Sequence, residues 1–219
     1  HITEPSLPEA YAIINPNRYD ENNTYTEMAA VGVTFLFIMA LRKHLRKQNF
    51  FNASIKEPNI LSLLDLVALG TICDLVNLTS YNRIFVKEGL EIIKSRKNKV
   101  ITKLLDNSNL KSTPTAIDLG YVIGPQLNAA SRIDDSSLPS KLLTSENDLD
   151  IEAISSKLNL LNKKRKLIEN TIFDEAISQA ENQKNKNYIL IHNHNWHNGV
   201  LGIIASRILS KFHKPTIVI

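Results

Sequence analysis

Residues 149–181 repeat apolar side chains at helical spacing and contain neither glycine nor proline. No other stretch limits the possible folds as strongly, because such a pattern predicts one long, continuous helix. The apolar positions are Ile151, Ile154, Leu158, Leu161, Ile168, Ile172 and Ile177. The helix therefore separates a longer part of the chain before it from a shorter part after it.

The pattern changes from helical to strand-like after this helix. Residues 181–187 are polar and predict a linker, and residues 188–191 and 215–219 are short strand-like runs. Between them lie a polar loop and a helical stretch at residues 199–212. A strand, a helix and a second strand in this order are typical of a βαβ unit, which we interpret as the beginning of a second domain.

The part before the long helix is predicted to be mostly helical. We expect a helix over residues 28–47, with Thr24 and Glu27 forming a capping box, and close approach of another backbone at Gly32. A short strand is predicted at residues 12–14, and Gly70 is predicted to stop a helix over residues 60–69. The remaining predicted helices cover residues 82–94, 99–105, 116–123 and 126–135. The Gly124-Pro125 pair is predicted to end the helix over residues 116–123.

The composition excludes several classes of protein. The longest apolar run, residues 31–41, is about half of the ~18–20 residues that a membrane span needs. A single cysteine, Cys73, excludes a disulfide scaffold and a cysteine-rich zinc site, and it fits a reducing compartment. Because the chain opens on His1 rather than methionine and closes on an apolar run, we expect it to be a piece of a longer protein.

The net charge of +4 is small but unevenly distributed. Basic residues cluster at residues 42–47, 94–99, 163–166 and 184–186. Such clusters are commonly the solvated face of a helix, and a patch that binds a polyanion is the alternative. Charge alone does not identify a nucleic-acid-binding protein.

Two aspartates stand in apolar surroundings, where a carboxylate needs a partner. For Asp65 we favour a structural role, in which it caps a helix or accepts hydrogen bonds from backbone amides. Asp74 follows the predicted stop at Gly70, where the end of a helix faces a cleft. We therefore favour a metal-binding or active-site role for Asp74.

Two further segments carry residues suited to phosphate. Asn128 and Arg132 are four residues apart and project from one face of a helical turn, where a guanidinium and an amide can bind phosphate oxygens. A surface ion pair between Arg132 and Asp135 is the alternative. The loop before residue 199 leads through glycine into a helix, whose free amides can bind an anion. We disfavour a metal cluster of His192, His194 and His197, and we expect Trp196 to be a packing residue.

Three runs together resemble one protein family: residues 63–74 (LLDLVALGTICD), 124–132 (GPQLNAASR) and 196–207 (WHNGVLGIIASR). In this order, with AIINPN at residues 12–17 and Asn82-Arg83 after Asp74, they are similar to the RecJ family of single-strand-specific 5′→3′ exonucleases. This family belongs to the DHH phosphoesterase superfamily, and the likeness extends over nearly the whole chain.

The resemblance implies catalytic roles for two residues. His1 matches the last histidine of the family's Asp-His-His motif, which contacts substrate phosphate. Asp74 matches an aspartate that binds the catalytic metals. The other acidic motifs of the family lie outside this sequence, so we expect the chain alone not to cleave DNA.

The resemblance also implies residues that bind the DNA strand. They are Asn128, Arg132, His197 and Arg207. Two positions depart from the family pattern: Gln126 replaces a common arginine, which is expected to weaken phosphate binding, and Ser131 replaces a common glycine.

We therefore expect an α/β fold in three parts. Residues 1–148 would be the rear part of a parallel-sheet DHH catalytic domain, residues 149–187 a long connecting helix with its linker, and residues 188–219 the beginning of a DHHA1-type accessory domain. The expected activity is hydrolysis of single-stranded DNA 5′→3′ to mononucleotides, in DNA repair and recombination, with two Mn²⁺ or Mg²⁺ ions.

The remaining expectations concern partners and alternatives. Single-stranded DNA is the expected substrate, with a single-strand-binding protein or a helicase as a further partner, no membrane partner and a cytoplasmic location; the oligomeric state is left open. The alternatives are a DHH phosphodiesterase that acts on short oligonucleotides or cyclic dinucleotides, and a metal-free relative that binds DNA.

Overall fold

The computed structural model describes residues 6–20, 24–110 and 112–219. The chain forms two compact units. The first comprises the residues up to Thr102 together with Leu110–Gly124, and the second comprises Lys103–Asn109 together with Pro125–Ile219. The predicted division at residues 148 and 187 concerns domains of a longer protein and stays a prediction.

Helices that pack on one another build the first unit. They are α1 (Ala30–Lys47), a 3₁₀ turn (Ile60–Leu63), α2 (Leu64–Cys73), α3 (Ser80–Lys94), α4 (Lys99–Asp106, which continues into the second unit), α5 (Ala116–Asp118) and a π-helical turn (Leu119–Ile123). Phe35 and Phe85 meet edge to face with ring centroids 5.5 Å apart, in a core that also contains Ile60, Leu64 and Val67. The helices predicted over residues 82–94 and 99–105 are confirmed as α3 and α4.

The close backbone approach in this unit occurs at Gly89 rather than at Gly32. A Cβ atom at Gly89 would lie 2.2 Å from the carbonyl oxygen of Leu64, so glycine lets α3 pack directly on the backbone of α2. At Gly32 the nearest atoms belong instead to the side chains of Met28 and Phe85. The prediction placed the right kind of contact on the wrong helix, because either helix offers a glycine on an apolar face.

Two local predictions in the amino-terminal part are wrong. Residues 12–14 form no strand; among the described residues, the two strands lie at residues 189–191 and 216–218. The capping box at Thr24 is also absent: α1 begins after Ala29, which makes no side-chain cap. The carboxylate of Glu27 instead accepts hydrogen bonds from Asn77 and Thr79, far along the chain.

Gly70 does not stop a helix. Helix α2 continues through it to Cys73, with Asp74 as the C-cap and Leu75 in the left-handed region at φ 57°. A Cβ atom at position 70 would lie 2.9 Å from Cγ1 of Val31, so the glycine allows α1 and α2 to pack closely. The contact between helices, rather than the local preference of glycine, decides this position.

The Gly124-Pro125 pair does not end a helix either. The N–H of Gly124 bonds to the carbonyl of Leu119, five residues back, and the chain continues directly into α6 (Gly124–Ile133). Proline is tolerated in the first turn of a helix because it has no N–H to lose there. The wide π turn and the early position of Pro125 therefore keep this segment helical.

The second unit contains the long helix and a parallel pair of strands. The elements that follow α6 are α7 (Leu138–Leu143), the long helix α8 (Asp148–Glu181), β1 (Ile189–Ile191), α9 (Asn198–Phe212) and β2 (Thr216–Val218). Strands β1 and β2 pair in parallel, with Ile189 opposite Thr216. Their core includes Ile172, Ala176, Ile191, Val200, Ile204 and Ile208. The predicted long helix, which spans 34 residues, the βαβ unit and the α/β class are confirmed.

Among the described residues, no helix combines the length and the apolar character that crossing a membrane requires.

Candidate functional site

Asp74 lies at the exposed carboxyl end of α2, in the first unit. Its N–H bonds to the carbonyl of Gly70 at 3.0 Å, and the residue is exposed. Asp74 is one of the residues that line an open pocket of about 620 Å³. The pocket is lined by Ile14, Asn15, Pro16, Asn17, Thr26, Glu27, Met28, Ala30, Val33, Thr34, Asp74, Leu75, Val76 and Asn77.

The donor atoms at this pocket suit a hard cation. The Asp74 carboxylate supplies oxygen ligands of the kind that Mn²⁺ and Mg²⁺ prefer. Within the described parts of the chain, no three histidine, cysteine, aspartate or glutamate side chains converge on a point that could hold a metal ion. Asp74 therefore fits a role as one ligand of a site and does not form a site with its described neighbours.

Asp65, the other acid in apolar surroundings, has the structural role that we favoured. It is 3% exposed, near the beginning of α2. Its carboxylate accepts hydrogen bonds from the Leu66 amide at 2.6 Å and from Nδ2 of Asn98 at 2.8 Å. Oδ1 of Asn98 in turn accepts from the Val100 amide at the start of α4, so this acid joins α2 to α4.

Asn128 and Arg132 lie one turn apart on α6, in the second unit. Nη1 of Arg132 donates to the carbonyl oxygen of Gly199 at 3.1 Å. Asp135 accepts instead from the amide and hydroxyl of Ser137, so the alternative ion pair between Arg132 and Asp135 is wrong. Asn128 is exposed beside Arg132.

His197 lies near Arg132 because of the close packing at Gly199. His197 is the N-cap of α9, and its Nδ1 accepts from the Gly199 amide at 3.1 Å, which assigns the proton of the neutral ring to Nε2. A Cβ atom at position 199 would lie 2.0 Å from the carbonyl oxygen of Arg132. Because only glycine permits this approach, the beginning of α9 meets the end of α6 here, and Arg132 and His197 share one neighbourhood.

Arg207 lies farther along α9 and faces α8. Its Nη1 donates to Glu169 at 3.0 Å and to Asn170 at 3.2 Å, and its guanidinium carbon lies 3.6 Å from the centre of the Phe173 ring. Glu169 also pairs with Arg165 at 2.8 Å. The structure thus does not place Arg207 with Arg132 and His197, and a role of Arg207 in DNA binding stays a prediction.

The expectation that Gln126 weakens phosphate binding stays a prediction. Gln126 is 1% exposed, and its amide nitrogen donates to Oγ of Ser108 at 2.8 Å and to the carbonyl of Leu104 at 3.3 Å. Its side chain faces the interior of the second unit and cannot replace a surface cation. The sequence pattern did not reveal this burial because the neighbours of Gln126 come from a separate segment.

Trp196 is a packing residue, as predicted: it is 6% exposed, and its ring N–H donates to Glu175 at 2.8 Å. His1 lies outside the described residues, and its predicted contact with phosphate stays a prediction. Sequence reasoning missed the contacts of Glu27 and Glu169, because their partners lie on other elements and no local pattern marks them.

Comparison with known proteins finds relatives that carry the same name as one another. The chain is 40% identical to the single-stranded-DNA-specific exonuclease RecJ of Escherichia coli K12 over 225 aligned residues, which cover 99% of this chain and 39% of that protein. It is 32% identical to the corresponding protein of Bacillus subtilis 168, of which it spans 26%. No family model matches the chain.

Solved structures agree with these relatives. The crystal structure of RecJ in complex with Mn²⁺ from Thermus thermophilus matches with a TM-score of 0.73 at 30% identity. The match covers 85% of this chain and 27% of that one. A structure of the same protein with Mg²⁺ matches equally well.

Proposed function

Because the chain belongs to the RecJ family, we propose that it forms part of a metal-dependent exonuclease that hydrolyses single-stranded DNA 5′→3′ to mononucleotides. It spans about two fifths of the length of the E. coli relative, so the complete activity is assigned to the protein in its full natural length. The observation that carries the proposal is the exposed residue Asp74 in the lining of a pocket that Asn15, Asn17 and Thr26 also line.

Asp74 would hold one of two divalent ions, Mn²⁺ or Mg²⁺. The position at the carboxyl end of α2 favours a cation, because the unpaired carbonyl groups there carry partial negative charge. When bound, such a pair of ions activates a water molecule and stabilises the leaving oxygen in an in-line displacement. The role of Asp74 is to keep its carboxylate oxygens in place for the ion.

Arg132, Asn128 and His197 would bind the DNA backbone, together with Arg207. The hydrogen bond from Arg132 to Gly199 uses one of its five N–H groups and leaves the planar fork available for phosphate oxygens. The proton assigned to Nε2 of His197 is a further donor. Asn128 stands one turn away on the same helix with its side chain exposed.

The remaining assignments follow from the family. Residues 1–148 would belong to the catalytic domain, residues 149–187 would connect, and residues 188–219 would begin a DHHA1-type domain. His1 would contact substrate phosphate. The protein would act in DNA repair and recombination in the cytoplasm, with a single-strand-binding protein or a helicase as a partner.

Substitution of Asp74 in the full-length protein tests the catalytic role. We expect Asp74→Ala to abolish release of mononucleotides from 5′-labelled single-stranded DNA and to leave DNA binding largely intact. Glu88→Ala, which removes an exposed carboxylate from α3 of the same unit, is the matched control and should retain activity. Full turnover by Asp74→Ala would refute the ligand assignment.

Salt dependence tests the binding role. Arg132→Ala should weaken binding and reduce the slope of log K against log salt by about 0.7, the contribution of one phosphate contact on a single strand. Lys141→Ala, which removes an exposed cation on α7, should leave the slope unchanged.

Separately, the purified 219-residue chain should not degrade DNA with Mn²⁺, since Asp74 alone cannot hold two ions.

A further inference from the structure

The segment that follows Asp74 has no regular secondary structure until α3 begins at Ser80. Leu75 turns the chain away from α2 with a positive φ of 57°. Residues 75–77 then continue along the same pocket as Asp74. Such a segment needs contacts from elsewhere if the carboxylate of Asp74 is to keep one position.

Asn82, at the beginning of α3, provides one such contact and links the segment to the residues before α1. It is 3% exposed, and its Nδ2 donates to the carbonyl oxygen of Asn77 at 2.9 Å and to that of Glu27 at 2.9 Å. Both amide protons are therefore used, and each goes to a residue that lines the pocket of Asp74. One buried side chain thus ties the segment after α2 to the segment before α1.

The side chain of Glu27 also joins the segment before α1 to the segment after α2. Its two carboxylate oxygens accept from Nδ2 of Asn77 at 3.3 Å and from Oγ1 of Thr79 at 3.0 Å. Hydrogen bonds to a charged carboxylate are stronger than those between neutral groups. Together with Asn82, Glu27 contacts the segment at two residues, three and five positions after Asp74.

The choice of asparagine at position 82 has a cost. Its Oδ1 is buried and, among the described residues, has no hydrogen-bond partner. A half-satisfied amide in an interior is unfavourable for stability compared with an apolar side chain. A buried group of this kind calls for an explanation beyond packing, and its two donated bonds supply one.

We infer that Asn82, assisted by Glu27, is a positioning residue: it holds the segment that follows Asp74 and thereby keeps Asp74 in the geometry needed to bind a divalent cation. The inference rests on the proposed function, because it takes Asp74 as a metal ligand. Without the two donated bonds, the segment would sample several positions, and binding of the cation would have to order it first. Residues that orient a metal ligand change metal affinity by about 10- to 100-fold when they are substituted.

The test uses metal-free, full-length protein and two readouts that do not require turnover. Mn²⁺ affinity is measured from the free-ion signal in electron paramagnetic resonance, and amide hydrogen exchange is measured for residues 75–79. Asn82→Ala is expected to weaken Mn²⁺ binding by about 10-fold and to accelerate exchange in this segment. Asn82→Asp should act in the same direction, because it sets a carboxylate against two carbonyl oxygens.

Asn98→Ala is the matched control for loss of a bridging asparagine. Asn98 also joins two segments of the first unit by its side chain, but its partners are Asp65 and the beginning of α4, which do not line the pocket. We expect Asn98→Ala to lower the unfolding temperature without changing Mn²⁺ affinity. Thr79→Val removes only an exposed contact to Glu27, so it can be measured even if the Asn82 variants fail to fold. We expect it to weaken Mn²⁺ binding by less than Asn82→Ala does.

The outcomes separate this inference from the proposed function. Suppose that Asp74→Ala abolishes Mn²⁺ binding and turnover, while Asn82→Ala leaves Mn²⁺ affinity and hydrogen exchange unchanged. Asn82 is then not a positioning residue, and the proposed function stands. Thr79→Val decides the question in the same way if Asn82→Ala does not fold. If Asn98→Ala weakens Mn²⁺ binding as much as Asn82→Ala, the effect is general destabilisation and the inference is wrong. If Asp74→Ala itself retains Mn²⁺ binding and turnover, the proposed function fails and this inference with it.

Discussion

Substitution of Gly199 by alanine tests the contact that brings Arg132 and His197 together. The new Cβ atom would lie 2.0 Å from the carbonyl oxygen of Arg132, whereas ordinary contacts begin at 3.4 Å, so the two backbones must separate by about 1.4 Å. Overpacking of this kind costs about 1–3 kcal/mol. Loss of the Arg132–Gly199 hydrogen bond adds about 1.5 kcal/mol. We expect the free energy of unfolding to fall by about 3 kcal/mol.

Gly202→Ala, three residues farther along α9, is the matched control. No atom lies within 4 Å of a Cβ at position 202, which is exposed, so alanine should stabilise this helix by about 0.5–1 kcal/mol. Urea unfolding followed by the fluorescence of Trp196, the single tryptophan of the chain, reports on the second unit. Equal effects of the two substitutions, or a stable Gly199→Ala variant, would refute the reasoning.

Two further predictions concern the first unit. Asp65→Ala should reduce the free energy of unfolding by about 2–3 kcal/mol, because it removes two hydrogen bonds to a buried carboxylate, from Leu66 and Asn98; a loss below about 0.5 kcal/mol in urea unfolding would contradict this role. Burial raises the pKa of the Cys73 thiol above its ordinary value, so less thiolate is present at pH 8 and alkylation by iodoacetamide should be slower in the folded chain than in urea. Equal rates in the two states would show that Cys73 is accessible and unperturbed.

Several features could be predicted from local sequence because local physics decides them. Helix α8 needs only an uninterrupted apolar repeat, and its observed bounds, Asp148–Glu181, differ by one residue from the prediction. Asn128 and Arg132 share a face because helical spacing places them there. The structural role of Asp65 followed from the cost of a buried, unpaired carboxylate.

Other features depend on contacts between distant segments. Gly70 continues a helix because Val31 packs against it, and Gln126 is buried because Leu104 and Ser108 bind its amide. No pattern within α2 or α6 contains this information. The same holds for Glu27, which lies in a plausible capping sequence but binds Asn77 and Thr79 instead.

The sequence by itself determined the long helix, the βαβ unit and the family, since periodicity and motif order are properties of the chain alone. Only the tertiary structure decided which polar groups act together. It paired Arg132 with Gly199 and placed Asn82 between two segments that line the pocket of Asp74. The physical reason is that a hydrogen bond between remote residues depends on the path of the backbone, which is set by packing of the whole unit.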